Sequence, residues 1–224
     1  MRTPRLAVLF LALSLSFTTP LFADGPAPLY ARGGVYGVGL DLGTKVGVGL
    51  HQPFGPFGAT VVTELDAGYL LPLPAPVGRG LEVMFSGAYQ GPRATGATPA
   101  GDERLGGDGS ATYAIRQHQA VLSLGLRYRV PVPLAWLAPY ASLAARSCLT
   151  RAIVTGEAAG QSFGTSREVA VSWGVSGALG TDFLLGPGAI LFEVGVGWAP
   201  YDRYVVQASS LGSLTLLAGY RFFL

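Results

Sequence analysis

Apolar residues recur at every second position over long stretches of this chain. From residue 36 to residue 50, Tyr36, Val38, Leu40, Leu42, Val46, Val48 and Leu50 share one parity. The other parity holds Gly37, Gly39, Asp41, Gly43, Lys45, Gly47 and Gly49. Strand side chains alternate between faces, so this stretch is one strand with an apolar face opposite a face of glycine and charge. The same period returns over 59–71, 81–90, 122–130, 141–150, 169–183, 190–198 and 213–224. Eight strands are predicted.

Breaks between the strands fall into two kinds. Proline-rich 72–78, proline-rich 131–139 and the Gly186-Pro187-Gly188 turn belong to one side. On the other side lie a short HQPFGPF connection, a long Gly-, Pro- and Asp-rich segment over 91–111, and loops near 156–167 and 200–210. The composition of 91–111 offers nothing to bury, so it is expected to be flexible.

Which face points inward follows from what each could fill. A soluble barrel packs large apolar side chains inside. Here the second face supplies mainly Gly, Ser, Thr and charges, and eight apolar stripes exposed to water would be too large a patch for a soluble monomer. In lipid the sense reverses, with apolar residues outward and backbone bonds paired by closure. The prediction is an all-β, eight-stranded antiparallel up-and-down transmembrane barrel with a polar lumen. Aromatic residues divide into two levels, as membrane interfaces favour. Tyr36, Tyr69, Tyr128, Tyr140, Phe183, Tyr220 and Phe222 fall near the turn ends, and Tyr89, Trp173, Trp198 and Tyr201 near the loop ends.

The chain ends in LLAGYRFFL, with Gly219, Tyr220, Phe222 and the terminal hydrophobe Leu224. With this ending and the eight alternating strands, residues 33–224 resemble the small eight-stranded outer-membrane proteins of the OmpA transmembrane domain and OmpX type. The resemblance implies a bacterial outer-membrane location with both termini periplasmic. It implies that barrel-assembly machinery reads Gly219, Tyr220, Phe222 and Leu224 as its signal. It also implies a monomer bathed in outer-membrane lipid and lipopolysaccharide.

Composition narrows the picture further. Of 224 residues, 50% are hydrophobic but only 12% are charged, with one Lys, fourteen Arg and 33 Gly. Arg2 and Arg5, then apolar Leu6–Phe17, then a small-residue exit to Ala23 read as a signal peptide over 1–23, followed by a short segment 24–32. Beyond it no apolar run is long enough for a transmembrane helix. Without Arg2 and Arg5 the chain carries thirteen basic and thirteen acidic residues, so nucleic acid is not an expected partner. Cys148 is the only cysteine, which rules out an internal disulfide framework, and it reads as a small wall residue.

Candidate chemistry lies on the inward face. LDLGTK at 40–45 resembles a phosphate loop of the actin and Hsp70 ATPases, but the two-residue phase runs through it without slipping, as a phosphate turn would not allow. Asp41, Lys45, Glu64, Asp66, Glu82, Arg127, Arg129, Arg146, Asp182, Glu193 and Arg221 all project inward in this register. Buried unpaired charge is costly, so these are expected to pair and plug the lumen, with Arg146 a candidate partner of Asp41. The glycines of the first strand are expected to make room for arginines from across the barrel. The alternative functions are a narrow gated pore and a lipid A-modifying barrel enzyme. For a deacylase, His118 would need a serine two residues on, yet Gln119 and Ala120 follow it. For a palmitoyltransferase, His51 is a candidate with Asp102, Ser110 or Ser162. No catalysis, cofactor or metal site is expected.

Overall fold

The computed structural model describes residues 39–51, 57–71, 73, 80–98, 111–130, 132, 134, 136–158, 161–201 and 211–224. The expected signal peptide, residues 24–32 and Tyr36 lie outside these, as do Asp102 and Ser110. Also outside are 99–110 and 202–210, the greater part of two expected loops.

The strands are β1 (Leu40–His51), β2 (Ala59–Leu70), β3 (Leu81–Gln90), β4 (Arg93–Thr98), β5 (Ala111–Arg129), β6 (Leu137–Ala158), β7 (Gln161–Leu185), β8 (Gly188–Trp198) and β9 (Ser213–Phe223). Each pairs antiparallel with its sequence neighbour, except that β3 and β4 both lie against β5. These two are one stave, interrupted at Gly91 and Pro92, where proline has no N–H for the ladder. The Pro92 carbonyl still accepts from Gln117 N–H at 2.9 Å. β9 pairs with β1, which closes eight staves into a continuous ring.

Alternation sets the two surfaces of the wall. Leu42, Val48, Leu65, Phe85, Leu124, Leu143, Val175, Leu179, Phe192 and Leu216 are exposed on the outside. Asp41, Lys45, Asp66, Glu82, Arg127, Arg129, Asp182 and Arg221 are buried within. Charge buried and leucine exposed is the reverse of a soluble fold, and it suits a wall surrounded by hydrocarbon.

Strand length distinguishes two parts of the wall. β1 and β2 have 12 residues each and β8 and β9 have 11, close to the 9–11 or so needed to cross a bilayer. β5, β6 and β7 run to 19, 22 and 25 residues. Their surplus lies at the loop end, so most of the expected loop 156–167, and residues 93–98 of the expected loop 91–111, are strand. The ladder of β6 and β7 continues to the pair Ala158–Gln161, with a register shift between Thr155 and Glu157. Polar sequence concealed this, because a sheet standing in water needs no apolar face to show the period.

Two glycines are set by geometry. Gly186 has φ +60° at the first position of the two-residue β7–β8 turn, with Pro187 second, the order of a II′ hairpin. At Gly43 a Cβ would overlap Asp66 Oδ1. The glycines of β1 do not make room for arginines from across the barrel. Gly43 receives a carboxylate from adjacent β2, and at Gly47 a Cβ would overlap the Leu216 backbone oxygen of β9.

Candidate functional site

The inward charges converge at the turn end because of register. Glu82 lies directly opposite Arg127, and Lys45 directly opposite Glu64. Asp41 faces Gly68, Asp66 faces Gly43, and Glu193 faces Gly180. Gly68 and Gly43 leave room for the Asp41 and Asp66 carboxylates, and Gly180 leaves room for the Tyr140 ring.

Arg127 is the hub. It donates from Nη1 to Asp41 Oδ1 and to Glu82 Oε2, each at 3.2 Å, and from Nη2 to Asp66. Arg129 contacts Asp41 Oδ2 at 3.0 Å, Asp182 Oδ2 at 3.5 Å, and Glu82. Arg221 joins Asp66 at 3.2 Å, Asp41 at 3.5 Å, and Asp182. Above them Lys45 Nζ reaches Glu64 at 2.8 Å, Glu193 at 3.0 Å and Asp66 at 3.8 Å. Ten of the eleven charges expected to point inward are thus in ion pairs, spanning β1, β2, β3, β5, β7, β8 and β9.

Arg146 is the exception. It is buried, but it donates to Ser213 Oγ at 3.3 Å and contacts Cys148 Sγ at 3.2 Å. No ion pair joins it to a carboxylate among the described residues, so the expected Asp41–Arg146 pair does not form. Strand position is the reason. Asp41 lies at the turn end of β1, whereas Arg146 lies midway along β6, opposite Gly174 and Ser123. A Cβ at Gly197 would overlap Arg146 Nη1, so that glycine is the recess holding the guanidinium.

Tyr140 and Tyr201 depart from the expected outer aromatic levels. Both are buried and face the lumen. Tyr140 donates to Glu193 Oε2 at 2.8 Å, and the guanidiniums of Arg127 and Arg221 lie 5.4 and 5.0 Å from its ring centroid. Parity carried the signal in both cases. Tyr140 is in phase with inward Arg146, and Tyr201 with inward Glu193.

A second polar tier crosses the loop end. Gln119 donates to Gln117 Oε1 at 2.7 Å, accepts from Gln90 Nε2 at 2.7 Å, and meets His51 Nε2 at 3.0 Å. The His51 ring stands edge-on to Phe57 with centroids 5.3 Å apart. Phe57, Ala94 and Ile115 form an apolar cluster there. Between the tiers lies a cavity of about 80 Å³, lined by Ser123, Ser142, Arg146, Ser176, Glu193 and Ser213 among others. His118 is on the outer wall, where its Nδ1 lies 2.6 Å from the Tyr89 hydroxyl. Ser162 is exposed at the far end of β7.

The residues of the terminal motif occupy the closing seam. A Cβ on Gly219 would overlap the Thr44 carbonyl oxygen of β1. Tyr220 donates to the Leu185 carbonyl at 3.1 Å and packs against Phe222 at 4.6 Å between centroids. Leu224 N–H donates to Leu40 O at 2.9 Å.

No protein-family model and no curated protein matches this chain. Solved structures do. A major outer membrane protein from Thermus thermophilus aligns over 82% of this chain and 99% of its own, at 14% identity and a TM-score of 0.53. OprG from Pseudomonas aeruginosa aligns over 86% and 99%, at 15% identity and a TM-score of 0.45. Ail of Yersinia pestis, solved with the heparin analogue sucrose octasulfate, aligns over 82% and 97%, at 14% identity and a TM-score of 0.42. The chain has the fold of the outer-membrane β-barrel proteins: a closed antiparallel ring, apolar outside and charged within.

Proposed function

We propose that this protein is a sealed barrel of the bacterial outer membrane that presents a raised sheet at the cell surface and performs no chemistry of its own. The observation that carries this is the pairing of a lumen blocked at two levels with strands β5–β7 that outrun the bilayer at one end. Both chain ends then lie in the periplasm, since β1 begins and β9 finishes at the turn end. Gly219, Tyr220, Phe222 and Leu224, at the closing seam, are the segment offered to the assembly machinery. The lack of a serine two residues after His118 supports a non-catalytic role.

Orientation is open to labelling with a membrane-impermeant maleimide on intact cells. The native Cys148 is fully buried and gives no background. Ser162→Cys, on the raised hairpin, is expected to label, whereas Pro187→Cys, in the β7–β8 turn, labels only after the outer membrane is opened. The reverse pattern would invert the topology.

A further inference from the structure

One pair of neighbouring staves differs from the rest. Each other pair is joined in sequence, so a connection limits how far one strand can slide on the next. β9 and β1 meet without such a connection, at the seam that closes the ring. Parity settles their faces but not their register. A slide of one residue would turn Leu216 and Phe222 into the lumen, whereas a slide of two keeps both outside. Most outward residues along this seam are apolar on both strands, so contact with lipid does not choose between registers two residues apart.

Inside the barrel the seam is far more particular. Gly43 of β1 lies directly opposite both Asp66 of β2 and Arg221 of β9. Arg221 Nη2 reaches Asp66 Oδ2 at 3.2 Å, so this ion pair passes over β1 where β1 has no side chain. Two residues along, Gly219 of β9 lies directly opposite Lys45 of β1. Lys45 Nζ reaches Glu193 of β8 at 3.0 Å, so the second pair passes over β9 beside a glycine. Each seam strand thus sends a cation past a glycine of the other, to an acid on the strand beyond. Every inward pair from Gly43–Arg221 to Gly49–Thr215 contains a glycine in this register. Sliding β9 by two residues ends that arrangement in either direction. One slide sets Arg221 opposite Lys45, like charge against like, and Phe223 opposite Gly43, where Asp66 Oδ1 now sits. The other sets Leu217 opposite Lys45 in place of Gly219, where even a Cβ would overlap the Thr44 carbonyl oxygen.

We infer that the Arg221–Asp66 and Lys45–Glu193 pairs are a closure latch, which fixes the register at which β9 seals against β1. Buried ion pairs are best suited to this task, since they choose between packings that apolar contacts leave nearly equal. The ring is complete when both cations have found the acids beyond the seam. Gly43 and Gly219 are the paths that let them do so.

Disulfide trapping in purified protein, refolded from urea into detergent, reads the register. The parent carries Cys148→Ala, which removes the native thiol, and three cysteine pairs are added to it separately. Val48→Cys/Leu216→Cys matches the observed register. Val48→Cys/Ala218→Cys and Val48→Cys/Leu214→Cys match slides of two residues in the two directions. Directly opposite Cβ atoms lie about 5 Å apart and those a step away about 7 Å, while a disulfide needs about 4 Å. In the parent the first pair should close and the other two stay open. Lys45→Met/Arg221→Met, which removes both cations, should raise the yield of a slid pair at least about tenfold. Arg127→Met is the control, because its ion pairs run to β1, β2 and β3 and not to β9. It should lower the urea midpoint while the first pair alone still closes. Lys45→Met alone guards against a double variant that does not fold, and should give slid product at a lower yield. The latch is overturned if the first pair alone closes in the double variant, or in Lys45→Met where the double variant does not fold. Slid product from Arg127→Met at the yield of the double variant overturns it too, because general loss of stability would then be the cause.

Discussion

Arg127→Ala is expected to lower the stability of the barrel by about 3–5 kcal/mol, the usual loss when one partner of a buried ion pair is removed. The side chain is fully buried, and its guanidinium is the shared partner of Asp41, Asp66 and Glu82. Without it three carboxylates crowd one end of a lumen too narrow to hydrate them freely. The alkyl stem and the contact with the Tyr140 ring are lost as well. Arg127→Lys restores the charge but not the fork, so it should recover only part of the loss. Arg146→Met is the internal control. Arg146 is equally inward but pairs with no carboxylate among the described residues, so its removal strands no anion and should cost far less than Arg127→Ala. Urea unfolding in detergent, followed by tryptophan fluorescence, gives both values. Equal losses at the two positions would show that the ion pairs do not govern stability.

Leu179→Arg is expected to cost roughly 2–4 kcal/mol, the penalty for arginine at the bilayer midplane on the lipid face of a barrel. Leu179 is 69% exposed, lies between Ala141 and Val194, and is flanked by aromatic residues at Phe183 and Trp173 along β7. Adjacent Ala178 faces the cavity. Ala178→Arg should therefore meet steric and charge limits inside but no hydrocarbon. The comparison is made in lipid bilayers and again in detergent micelles. The Leu179→Arg deficit should shrink in micelles, which deform around a charge, and the Ala178→Arg deficit should not. A Leu179→Arg penalty independent of the surrounding amphiphile would contradict an outward lipid face.

The ring of eight staves was legible because lipid imposes a strict rule on the sequence. Every membrane-crossing strand must alternate, so the two-residue period of Leu40–Leu50 or Leu122–Tyr128 directly reports which side is which. The rule lapses where the wall leaves the membrane. Ala111–Gln117, Arg151–Ala158 and Gln161–Glu168 are strands without a clean apolar stripe, and their Thr, Ser and Gly content reads as loop. The inward position of the charges followed from parity, but their pairing did not. Parity gives a face and not a height, and only the stagger between strands shows that Arg221 meets Asp66 and Asp182 while Arg146 sits beside Ser213. Tyr140 and Tyr201 depart from the expected levels for a different reason. Closeness to a strand end suggests an interface position, but parity points both inward, and the Tyr140 hydroxyl is satisfied there by Glu193. Of the loop-end tier only His51 stands out in the sequence, because the uncharged amides of Gln90, Gln117 and Gln119 carry little signal until register brings them together.

The seal across the lumen is tested most directly by single-channel recording in planar bilayers. Two tiers of hydrogen-bonded and ion-paired side chains, with a cavity of about 80 Å³ between them, are the ground for expecting no ion current. Wild-type protein, inserted and shown to be folded, should give a flat baseline. The double variant Arg127→Ser/Gln119→Ser, which thins both tiers at once, should give small steps. Regular conductance steps from the wild-type protein would contradict the sealed lumen.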